Sequence, residues 1–308
     1  MTYDIIIVGK GPAGLSAALY TVRANLKTLI IGKNDSVLAK AEKIENYFGF
    51  TGAVSGSQLL RAGESQASRL GAVIADEEVL GINLMEEFEV ITSNNRYTGR
   101  AVLLATGQPQ KKLNIQGLKE LEGKGISYCT TCDGFFYRGL KVGVLGSGDY
   151  AIHEAEELKA FTKNITLYTN GRGLECKGDC NDIVRDFIVE NKSILKLEGE
   201  ESLEYIHFSD GTKEKLDGLF IANESASSID FARKLGVITE GASIIVDQDQ
   251  KTNIGGLFAA GDCTGGFKQI ATAVGQGALA ARKIIEFVRG LPVPPEIGVA
   301  MDPMQQPG

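Results

Sequence analysis

Hydrophobic and polar positions near the N-terminus alternate in blocks that predict a strand, a loop, a helix and a second strand. The apolar run from Tyr3 to Val8 predicts a buried strand. Apolar residues at helical spacing follow from about Leu15 to Ala24, and a further apolar run covers Thr28 to Ile31. We therefore expect the chain to open with a strand–loop–helix–strand unit of an α/β fold.

The loop of this unit reads Gly9-Lys10-Gly11-Pro12-Ala13-Gly14, a G-x-G-x-x-G pattern between a strand and a helix. The first glycine allows the tight turn, the second lets a pyrophosphate reach backbone N–H groups, and the third lets the helix pack against the strand. The N-terminus of the helix then faces the anion. This context predicts a dinucleotide-binding site.

The same unit recurs in the middle of the chain. A predicted strand at Lys141–Leu145 leads into Gly146-Ser147-Gly148-Asp149-Tyr150-Ala151, followed by a predicted helix at Asp149–Phe161 and a strand at Ile165–Tyr168. A single G-x-G-x-x-G pattern is weak, whereas two patterns in matching surroundings strongly predict two dinucleotide-binding domains.

Further apolar segments predict how these two domains are joined. Strands are expected at Ala101–Ala105 and Ile254–Ala260, and a helix at Ile270–Arg289 that ends at Gly290. We predict two Rossmann-like, three-layer ββα domains. The first is discontinuous, covering 1–114 and 245–308, and the second, 115–244, is inserted into it. The tail after Leu291 holds five of the seven prolines and is expected to be extended or disordered.

Charge and composition exclude several classes of function. The net charge is −7 and the sequence pI about 5.1, so the basic excess of a nucleic-acid-binding protein is absent. No apolar stretch approaches the roughly 20 residues that span a bilayer, and the N-terminus has no signal-peptide pattern. We expect a cytoplasmic protein without a membrane partner. The five cysteines are too sparse for a disulfide scaffold and favour redox chemistry or a metal site.

Four motifs in order make the chain resemble the low-molecular-weight thioredoxin reductases. They are the first glycine loop, Ala105-Thr106-Gly107, Cys129-Thr130-Thr131-Cys132-Asp133, and Gly255-Gly256-Leu257-Phe258-Ala259-Ala260-Gly261-Asp262. The resemblance covers nearly the whole chain. It implies a homodimer that binds FAD in the first domain and carries a redox-active dithiol in the second.

The resemblance also assigns roles within the C-x-x-C-D segment. It places Cys132 against the flavin, makes Cys129 the thiol that attacks the disulfide of thioredoxin, and makes Asp133 the proton carrier for the departing thiolate. The alternative is half of a zinc site, with Cys176 and Cys180 as the other half. Their C-x-x-x-C spacing and distant position fit the usual zinc patterns poorly, so we expect no metal.

The expected FAD contacts lie in the first domain. Asp262 is expected to accept hydrogen bonds from the ribityl chain, and the helix beginning near Gln269 to direct its positive end at the pyrimidine edge of the flavin. Asn46 and the Val79 backbone resemble further contacts. The usual ribose-binding acid at the end of the second strand is absent, and Asp35 is the available substitute. The expected set is Gly9, Gly11, Pro12, Ala13, Gly14, Asp35, Asn46, Val79, Ala105, Thr106, Gly107, Gly261, Asp262, Lys268, Gln269 and Ile270.

The second nucleotide site lacks the residues that would recognise NADPH. The family's basic cluster after the second strand is replaced by Tyr168-Thr169-Asn170-Gly171-Arg172, and its Gly-His-x-Pro-Asn stretch by Asn223-Glu224-Ser225-Ala226-Ser227. The 2′-phosphate of NADP needs clustered cations, and Arg172 alone replaces them poorly. NAD needs an acid that binds its ribose hydroxyls, and the corresponding residue here is Thr169. Tyr150 is expected to fill space in the loop. The chain therefore resembles the clostridial ferredoxin-dependent flavin thioredoxin reductases.

Two other hypotheses stay open. The surviving glycine loop allows an NAD(P)H-dependent thioredoxin reductase with an atypical pocket, and a flavin-binding redox sensor without turnover is the third reading. Cys176 and Cys180 are either an auxiliary disulfide or incidental thiols, and Cys263 is expected to be buried and structural. With Cys129 and Cys132 committed, three cysteines remain, so the iron–sulfur cluster of a ferredoxin route belongs to the partner.

Overall fold

The protein is built on two β-sheets, each with parallel strands at its centre and each carrying one of the two glycine loops. The computed structural model describes residues 2–34, 36–108, 113–175, 180–223 and 226–291. Within these ranges the strands are β1 (Thr2–Val8), β2 (Thr28–Ile31), β3 (Val73–Ala75), β4 (Val79–Leu84), β5 (Phe88–Thr92), β6 (Arg96–Leu104), β7 (Ile126–Ser127), β8 (Val142–Leu145), β9 (Ile165–Tyr168), β10 (Ile188–Glu190), β11 (Ile194–Glu198), β12 (Tyr205–Phe208), β13 (Lys213–Lys215), β14 (Gly218–Ile221), β15 (Thr239–Glu240), β16 (Ser243–Ile244) and β17 (Leu257–Ala259). The helices are α1 (Pro12–Arg23), α2 (Gly56–Arg69), α3 (Thr130–Asp133), α4 (Asp149–Leu158), α5 (Cys180–Ile183), α6 (Ser228–Lys234) and α7 (Ile270–Val288).

The first sheet contains the N-terminal glycine loop at the end of its central strand. Its order is β3-β2-β1-β6-β5-β4, and β17 pairs with the last part of β6. Strands β1, β2, β3, β6 and β17 are parallel, and β4 and β5 join in antiparallel pairing. Alternate residues of β1 enter two cores: Ile5 and Ile7 pack with α1 and α7, and Ile6 packs on the opposite face.

The second sheet contains the second glycine loop and is parallel throughout. Its order is β10-β9-β8-β14-β7, and a separate antiparallel sheet β11-β12-β13 lies beside it. Each glycine loop therefore sits between a parallel strand and a helix, as dinucleotide-binding domains require. The predicted α/β class with two Rossmann-like units is confirmed. The predicted boundaries at 114/115 and 244/245 stay predictions.

The predicted helices have the right positions and slightly wrong ends. Helix α1 begins at Pro12 rather than at Leu15, because Pro at the first position suits a helix start. Helix α4 ends at Leu158 rather than at Phe161, where the chain continues through short turns. Helix α7 begins at Ile270 as predicted and ends at Val288, with Gly290 at a φ of +64°.

The predicted strands differ mainly where a partner strand determines the length. The bounds of β2 and β9 are those predicted, and β1 and β8 differ by one residue. Strand β6 begins at Arg96 rather than at Ala101, because its first half pairs with β5. Strand β17 is confined to Leu257–Ala259, shorter than the predicted 254–260.

Close packing of α1 on α7 places the N-termini of both helices at the same edge of the first sheet. A Cβ added at Gly277 of α7 would lie 2.1 Å from the carbonyl oxygen of Ala13. The Ser16 hydroxyl donates to the carbonyl of Val274 at 2.8 Å. None of the helices among the described residues combines the length and apolar character needed to cross a bilayer.

Candidate active site

A deep cleft of about 2300 Å³ opens between the two sheets, at the carboxyl ends of β1 and β6. This is the edge at which parallel α/β sheets bind their ligands. Thirteen of the predicted FAD-binding residues line it: Gly9, Gly11, Pro12, Ala13, Val79, Ala105, Thr106, Gly107, Gly261, Asp262, Lys268, Gln269 and Ile270. Gly14 and Asn46 are not among the lining residues, and Asp35 lies outside the described residues.

At Gly9 the first glycine loop lies so close to the end of β6 that a side chain would not fit. Gly9 has a φ of +123°, and a Cβ there would lie 2.2 Å from the carbonyl oxygen of Ala105. A Cβ at Gly14 would lie 2.1 Å from the carbonyl oxygen of Gly9, so Gly14 serves helix packing rather than the cleft wall. Gly261 faces the loop from the other side with a φ of +86°. The backbone is thus exposed to any ligand in the cleft.

Two helices direct uncapped N-termini into this cleft. Helix α1 has Gly11 as its N-cap and helix α7 has Gln269, and neither N-cap residue makes a side-chain capping hydrogen bond. The free N–H groups of the first turns are therefore donors for an anion or a polar ligand edge. The Nδ2 of Asn46 donates to Oε1 of Gln269 at 3.0 Å, so Asn46 holds a lining residue in position.

Asp262 lies just after β17, at the start of a short turn of 3-10 helix. The Nε2 of Gln108 donates to the Asp262 carbonyl oxygen at 2.6 Å. Burial raises the pKa of the Asp262 carboxyl, and Lys268 partly offsets this effect. Cys263, the next residue, is buried and is a free thiol, and burial raises its pKa to about 12. The expectation that Cys263 is structural is consistent with this environment.

The far end of the cleft has an unusual set of charges. Lys10 of the glycine loop has a nearly buried side chain whose Nζ contacts Asp76 and lies 2.7 Å from Oδ1 of Asn34. The Lys33 Nζ donates to Oε2 of Glu78 at 2.8 Å, and the other carboxylate oxygen of Glu78 is buried with no partner. These residues hold together the ends of β1, β2 and β3 where the usual acid is missing.

The two cysteines of the C-x-x-C segment form a disulfide that faces the same cleft. Cys129 and Cys132 are bonded at the start of α3, and both line the cleft together with Asp133. Cys132 is exposed toward the cleft, whereas Cys129 is only 5% exposed. The N–H of Cys132 donates to the sulfur of Cys129 at 3.1 Å. Zinc binds cysteine as the thiolate, and sulfurs joined in a disulfide are not thiolates. In this oxidised form Cys129 and Cys132 therefore could not serve as ligands of the alternative zinc site.

Asp133 is held beside the disulfide by Ser127. The Ser127 hydroxyl donates to Oδ2 of Asp133 at 2.6 Å and accepts from the N–H of Cys129 at 3.0 Å. The carboxylate therefore lies in the same hydrogen-bonded unit as the first cysteine. This position is suitable for a group that delivers or receives a proton near the sulfurs.

Comparisons with known proteins agree with this arrangement. The profile of the pyridine nucleotide-disulphide oxidoreductase family matches residues 3–277. The thioredoxin reductase of Listeria innocua is 33% identical over 303 residues, covering 94% of this chain and 95% of that protein.

The chain belongs to the pyridine nucleotide-disulphide oxidoreductase family. Within the family it is an oxidoreductase homologous to the thioredoxin reductases, whose members are FAD flavoproteins, and FAD is its cofactor. The side-chain-free approach of Gly9 and the uncapped starts of α1 and α7 fit a dinucleotide with a polar flavin edge.

Solved structures of this family show the same architecture. The atypical thioredoxin reductase TRi of Desulfovibrio vulgaris Hildenborough superposes with a TM-score of 0.90 at 43% identity, covering 93% of this chain and 98% of that one. The ferredoxin-flavin thioredoxin reductase of Clostridium acetobutylicum superposes with a TM-score of 0.69 at 28% identity, covering 94% and 99%.

At the second glycine loop Glu175 pairs with the loop backbone, while the space in front of Gly148 stays open. Gly146, like Gly9, lies too close to a neighbouring strand for a side chain, because an added Cβ would lie 2.2 Å from the carbonyl oxygen of Ala222. The N–H of Glu175 donates to the carbonyl of Ser147 at 2.7 Å, and Glu175 forms a parallel bridge with Gly148. Tyr150 is 2% exposed and is one of the residues lining the large cleft, and its expected place within the loop stays a prediction.

Sequence analysis missed several residues that shape the site. Gln108, Lys10 and Ser127 were not predicted, although a lysine inside a G-x-G loop is a visible anomaly. Helix α6 was also missed, although Ser227 and Asp230 form a capping box at its start. Cys176, Glu224, Ser225 and the tail after Leu291 lie outside the described residues, as does the side chain of Cys180.

Proposed function

We propose that this protein is a thioredoxin reductase that receives electrons from a ferredoxin through FAD and passes them to thioredoxin through Cys129 and Cys132. The observation that carries the thioredoxin-reductase part is the placement of the disulfide in the same cleft as the FAD-binding loops. The relatives named as thioredoxin reductases match along almost the entire chain and support the same substrate.

The unequal exposure of the two sulfurs supports their assigned roles. Cys132 faces the cleft and is placed to receive electrons, whereas the buried Cys129 becomes the nucleophile toward thioredoxin once the inserted domain turns outward. Asp133, held by Ser127, supplies the proton to the departing thiolate. A bulky protein substrate has no access to Cys129 in the present arrangement, so turnover requires a domain movement.

The state of the second glycine loop supports a donor other than NAD(P)H. Glu175 pairs with the loop backbone at Ser147 and Gly148, which a pyrophosphate would otherwise approach. Asp149 in the first turn of α4 is 4% exposed, and its carboxylate would repel a phosphate at that helix N-terminus. Arg172 is already engaged in an interaction within the protein. These contacts carry the ferredoxin part of the proposal.

The energetics allow this route. A plant-type ferredoxin near roughly −400 mV and a thioredoxin near roughly −270 mV differ by about 6 kcal/mol for two electrons. Bound FAD supplies the ability to accept electrons singly and to deliver them as a pair. The likeness to the ferredoxin-flavin thioredoxin reductase of C. acetobutylicum supports the same assignment.

Anaerobic flavin absorbance distinguishes the donors. The purified holoenzyme is titrated first with NADPH and NADH and then with reduced ferredoxin, with thioredoxin added last. We expect bleaching only with ferredoxin, followed by reduction of thioredoxin. Rapid bleaching by NADPH would instead establish the NAD(P)H-dependent alternative, and bleaching without transfer to thioredoxin would establish the redox sensor.

We also propose that the protein is a homodimer and acts in the cytoplasm. The α1–α7 surface supports the dimer, because Tyr20 and Leu279 are 51% and 47% exposed beside a shallow depression of about 510 Å³. Light scattering coupled to gel filtration should give twice the 32.9 kDa chain mass. A monomer at micromolar concentration would contradict this part of the proposal alone.

A further inference from the structure

The first of the two residues between the cysteines, Thr130, is hydrogen-bonded to a largely buried charge cluster that the proposed reaction does not use. Thr130 is 1% exposed, and its Oγ1 lies 2.6 Å from Oε2 of Glu154 and 2.8 Å from Oε2 of Glu157. A threonine hydroxyl carries one proton, so it can donate to only one of these carboxylates. With both carboxylates ionised, the second contact would set lone pairs against each other.

The cation of this cluster comes from the end of α6. The Nζ of Lys234 contacts Glu154 and lies 2.9 Å from Oε2 of Glu157. The side chains of Lys234 and Glu154 are 7% and 3% exposed, so water has almost no access to them. The Glu157 side chain is 34% exposed, but two carboxylates against one ammonium would still leave a net negative charge on a cluster whose other two members are nearly buried, which is unfavourable.

One additional proton removes both difficulties. We propose that Glu154 is a neutral carboxylic acid that donates to the Thr130 hydroxyl, which donates to the Glu157 carboxylate held by Lys234. The carboxyl proton of Glu154 and the hydroxyl proton of Thr130 then each have an acceptor. The charges of Glu157 and Lys234 cancel. Glu154, Glu157 and Lys234 thereby act as positioning residues that fix the dithiol turn and set the charge behind it.

The environments of the two acids favour this placement of the proton. Burial raises the pKa of Glu154, and Lys234 offsets this only in part. Burial acts in the same direction on Glu157, but His153, 3.3 Å away, and Lys234 outweigh it and lower the pKa of Glu157 to about 2. The other titratable groups around the cluster are Tyr150 and His153 of α4 and Asp230 of α6.

The charge of the cluster has a consequence for the thiolate that forms when the disulfide is reduced. A positive charge nearby lowers a thiol pKa, and a negative charge raises it. Since Glu157 and Lys234 cancel in the native cluster, removing either one should shift the thiolate pKa, in opposite directions. Glu154→Gln replaces a neutral carboxylic acid by a neutral amide of the same shape, so it should leave the net charge of the cluster unchanged.

Infrared spectroscopy of the oxidised holoenzyme locates the proton without any turnover. We expect a C=O stretch of a buried protonated carboxyl that is absent in Glu154→Gln and present in the double variant Glu157→Gln/Lys234→Met, in which no lysine remains to ionise Glu154. Retention of the band in Glu154→Gln would overturn the placement. Absence of such a band from the unmodified protein would overturn the neutral acid altogether.

Alkylation of the reduced dithiol tests the charge balance. The holoenzyme is reduced with a phosphine, treated with iodoacetamide over a range of pH, and the Cys129–Cys132 peptide is quantified by mass spectrometry. We expect Lys234→Met to raise the midpoint by about 1 pH unit. Glu157→Gln, made in the Glu154→Gln background so that Glu154 cannot ionise in its place, should lower it by about 1. Glu154→Gln should shift it by less than about 0.3.

Two further variants keep this test decisive. Lys159→Met removes a lysine at the exposed end of α4, where it pairs with Glu156 and Asp186, and should leave the midpoint unchanged. The double variant Glu157→Gln/Lys234→Met removes both charges and should restore it, even where the single lysine variant is unstable. Shifts of the same sign in Lys234→Met and Glu154→Gln/Glu157→Gln would indicate mere loss of structure and overturn the inference.

The inference rests on Cys129 and Cys132 being the redox centre of the proposed function, but its failure is distinguishable. A protein that does not accept electrons from ferredoxin would still show the carboxyl band and the opposite pH shifts. Conversely, a normal rate of thioredoxin reduction without the band would leave the proposed function in place and remove only the role of the cluster.

Discussion

Thr106 and Ser228 bind each other reciprocally across the cleft. The N–H of Thr106 donates to the Ser228 hydroxyl at 3.1 Å, the N–H of Ser228 donates to the Thr106 hydroxyl at 2.7 Å, and the two hydroxyl oxygens are 2.8 Å apart. Thr106 follows β6 of the first sheet, and Ser228 begins α6, whose far end lies beside Cys132. The pair therefore holds the disulfide in its position facing the cleft.

Ser228→Ala should weaken this arrangement. The variant loses two of the three contacts, worth about 1 kcal/mol each, and the arrangement facing the cleft should be disfavoured by roughly thirtyfold. Hydrogen exchange measured by mass spectrometry should accelerate in α6 and around 105–107. Ser209→Ala, on an exposed turn, is the matched control. Unchanged exchange in α6 would show that the pair does not hold the domains together.

Gly9→Ala should abolish tight FAD binding. The added Cβ would lie 2.2 Å from the Ala105 carbonyl oxygen at a φ that L-residues rarely adopt, so the loop must move. We expect FAD affinity to fall at least about tenfold, measured as the ratio of flavin to protein absorbance after gel filtration.

The second glycine loop supplies the controls for this variant. Gly148→Ala meets no atom within 4 Å and should retain FAD and stability. Gly146→Ala meets the Ala222 carbonyl at 2.2 Å and should destabilise the protein while leaving FAD affinity intact. If Gly146→Ala released FAD as readily as Gly9→Ala, the two loops would not have separate roles.

Asp262→Asn should raise the stability of the FAD-free protein and weaken FAD binding. Burial raises the pKa of Asp262, so the folded state binds the proton more tightly than the unfolded chain. The resulting destabilisation is present above the folded pKa and disappears as the pH falls below the unfolded value. At neutral pH the amide should raise Tm by roughly 1–3 °C.

The measurement is thermal unfolding with and without FAD from roughly pH 3, below the ordinary pKa of an aspartate, to roughly pH 8. The Tm advantage of the variant should vanish at the acidic end, and added FAD should stabilise it less than the unmodified protein. An advantage that persists at low pH would show that the carboxylate charge is not its cause.

Cys129→Ser should accept electrons into the flavin but fail to reduce thioredoxin. Removal of the nucleophile should slow thioredoxin reduction at least about a thousandfold, while stopped-flow reduction of the flavin stays at the normal rate. Cys263→Ser, at a buried thiol far from the disulfide exchange, is the matched control. Thioredoxin reduction at the normal rate in Cys129→Ser would reverse the assigned roles of the two cysteines.

The parts of the fold that sequence predicts are those in which local residues decide the outcome. The bounds of β2 and β9 follow from short apolar runs between polar turns, and both strands are fully buried. The start of β6 was missed because Arg96 to Arg100 are strand residues through pairing with β5 and, at Thr98 and Gly99, with the start of β1. A partner strand is a property of the folded chain, and its contribution is not visible in a window of sequence.

The site shows the same division. The glycine loops and the C-x-x-C segment were predictable because their chemistry requires fixed spacing. The contact of Lys234 with Glu154 joins residues 80 positions apart, and that of Thr106 with Ser228 joins residues 122 apart. The types of these residues are ordinary, so only the packing of α6 between the two sheets reveals what they do.

The burial of Cys129 also affects how the enzyme survives oxidative and electrophilic stress. In the proposed reaction cycle, reagents in solution would meet this sulfur only while the segment that carries the dithiol is turned away from the cleft. Chemical modification of Cys129 should therefore increase with the number of turnovers. Enzyme kept without its electron donor should retain activity longer than enzyme that is turning over in the same concentration of the modifying reagent.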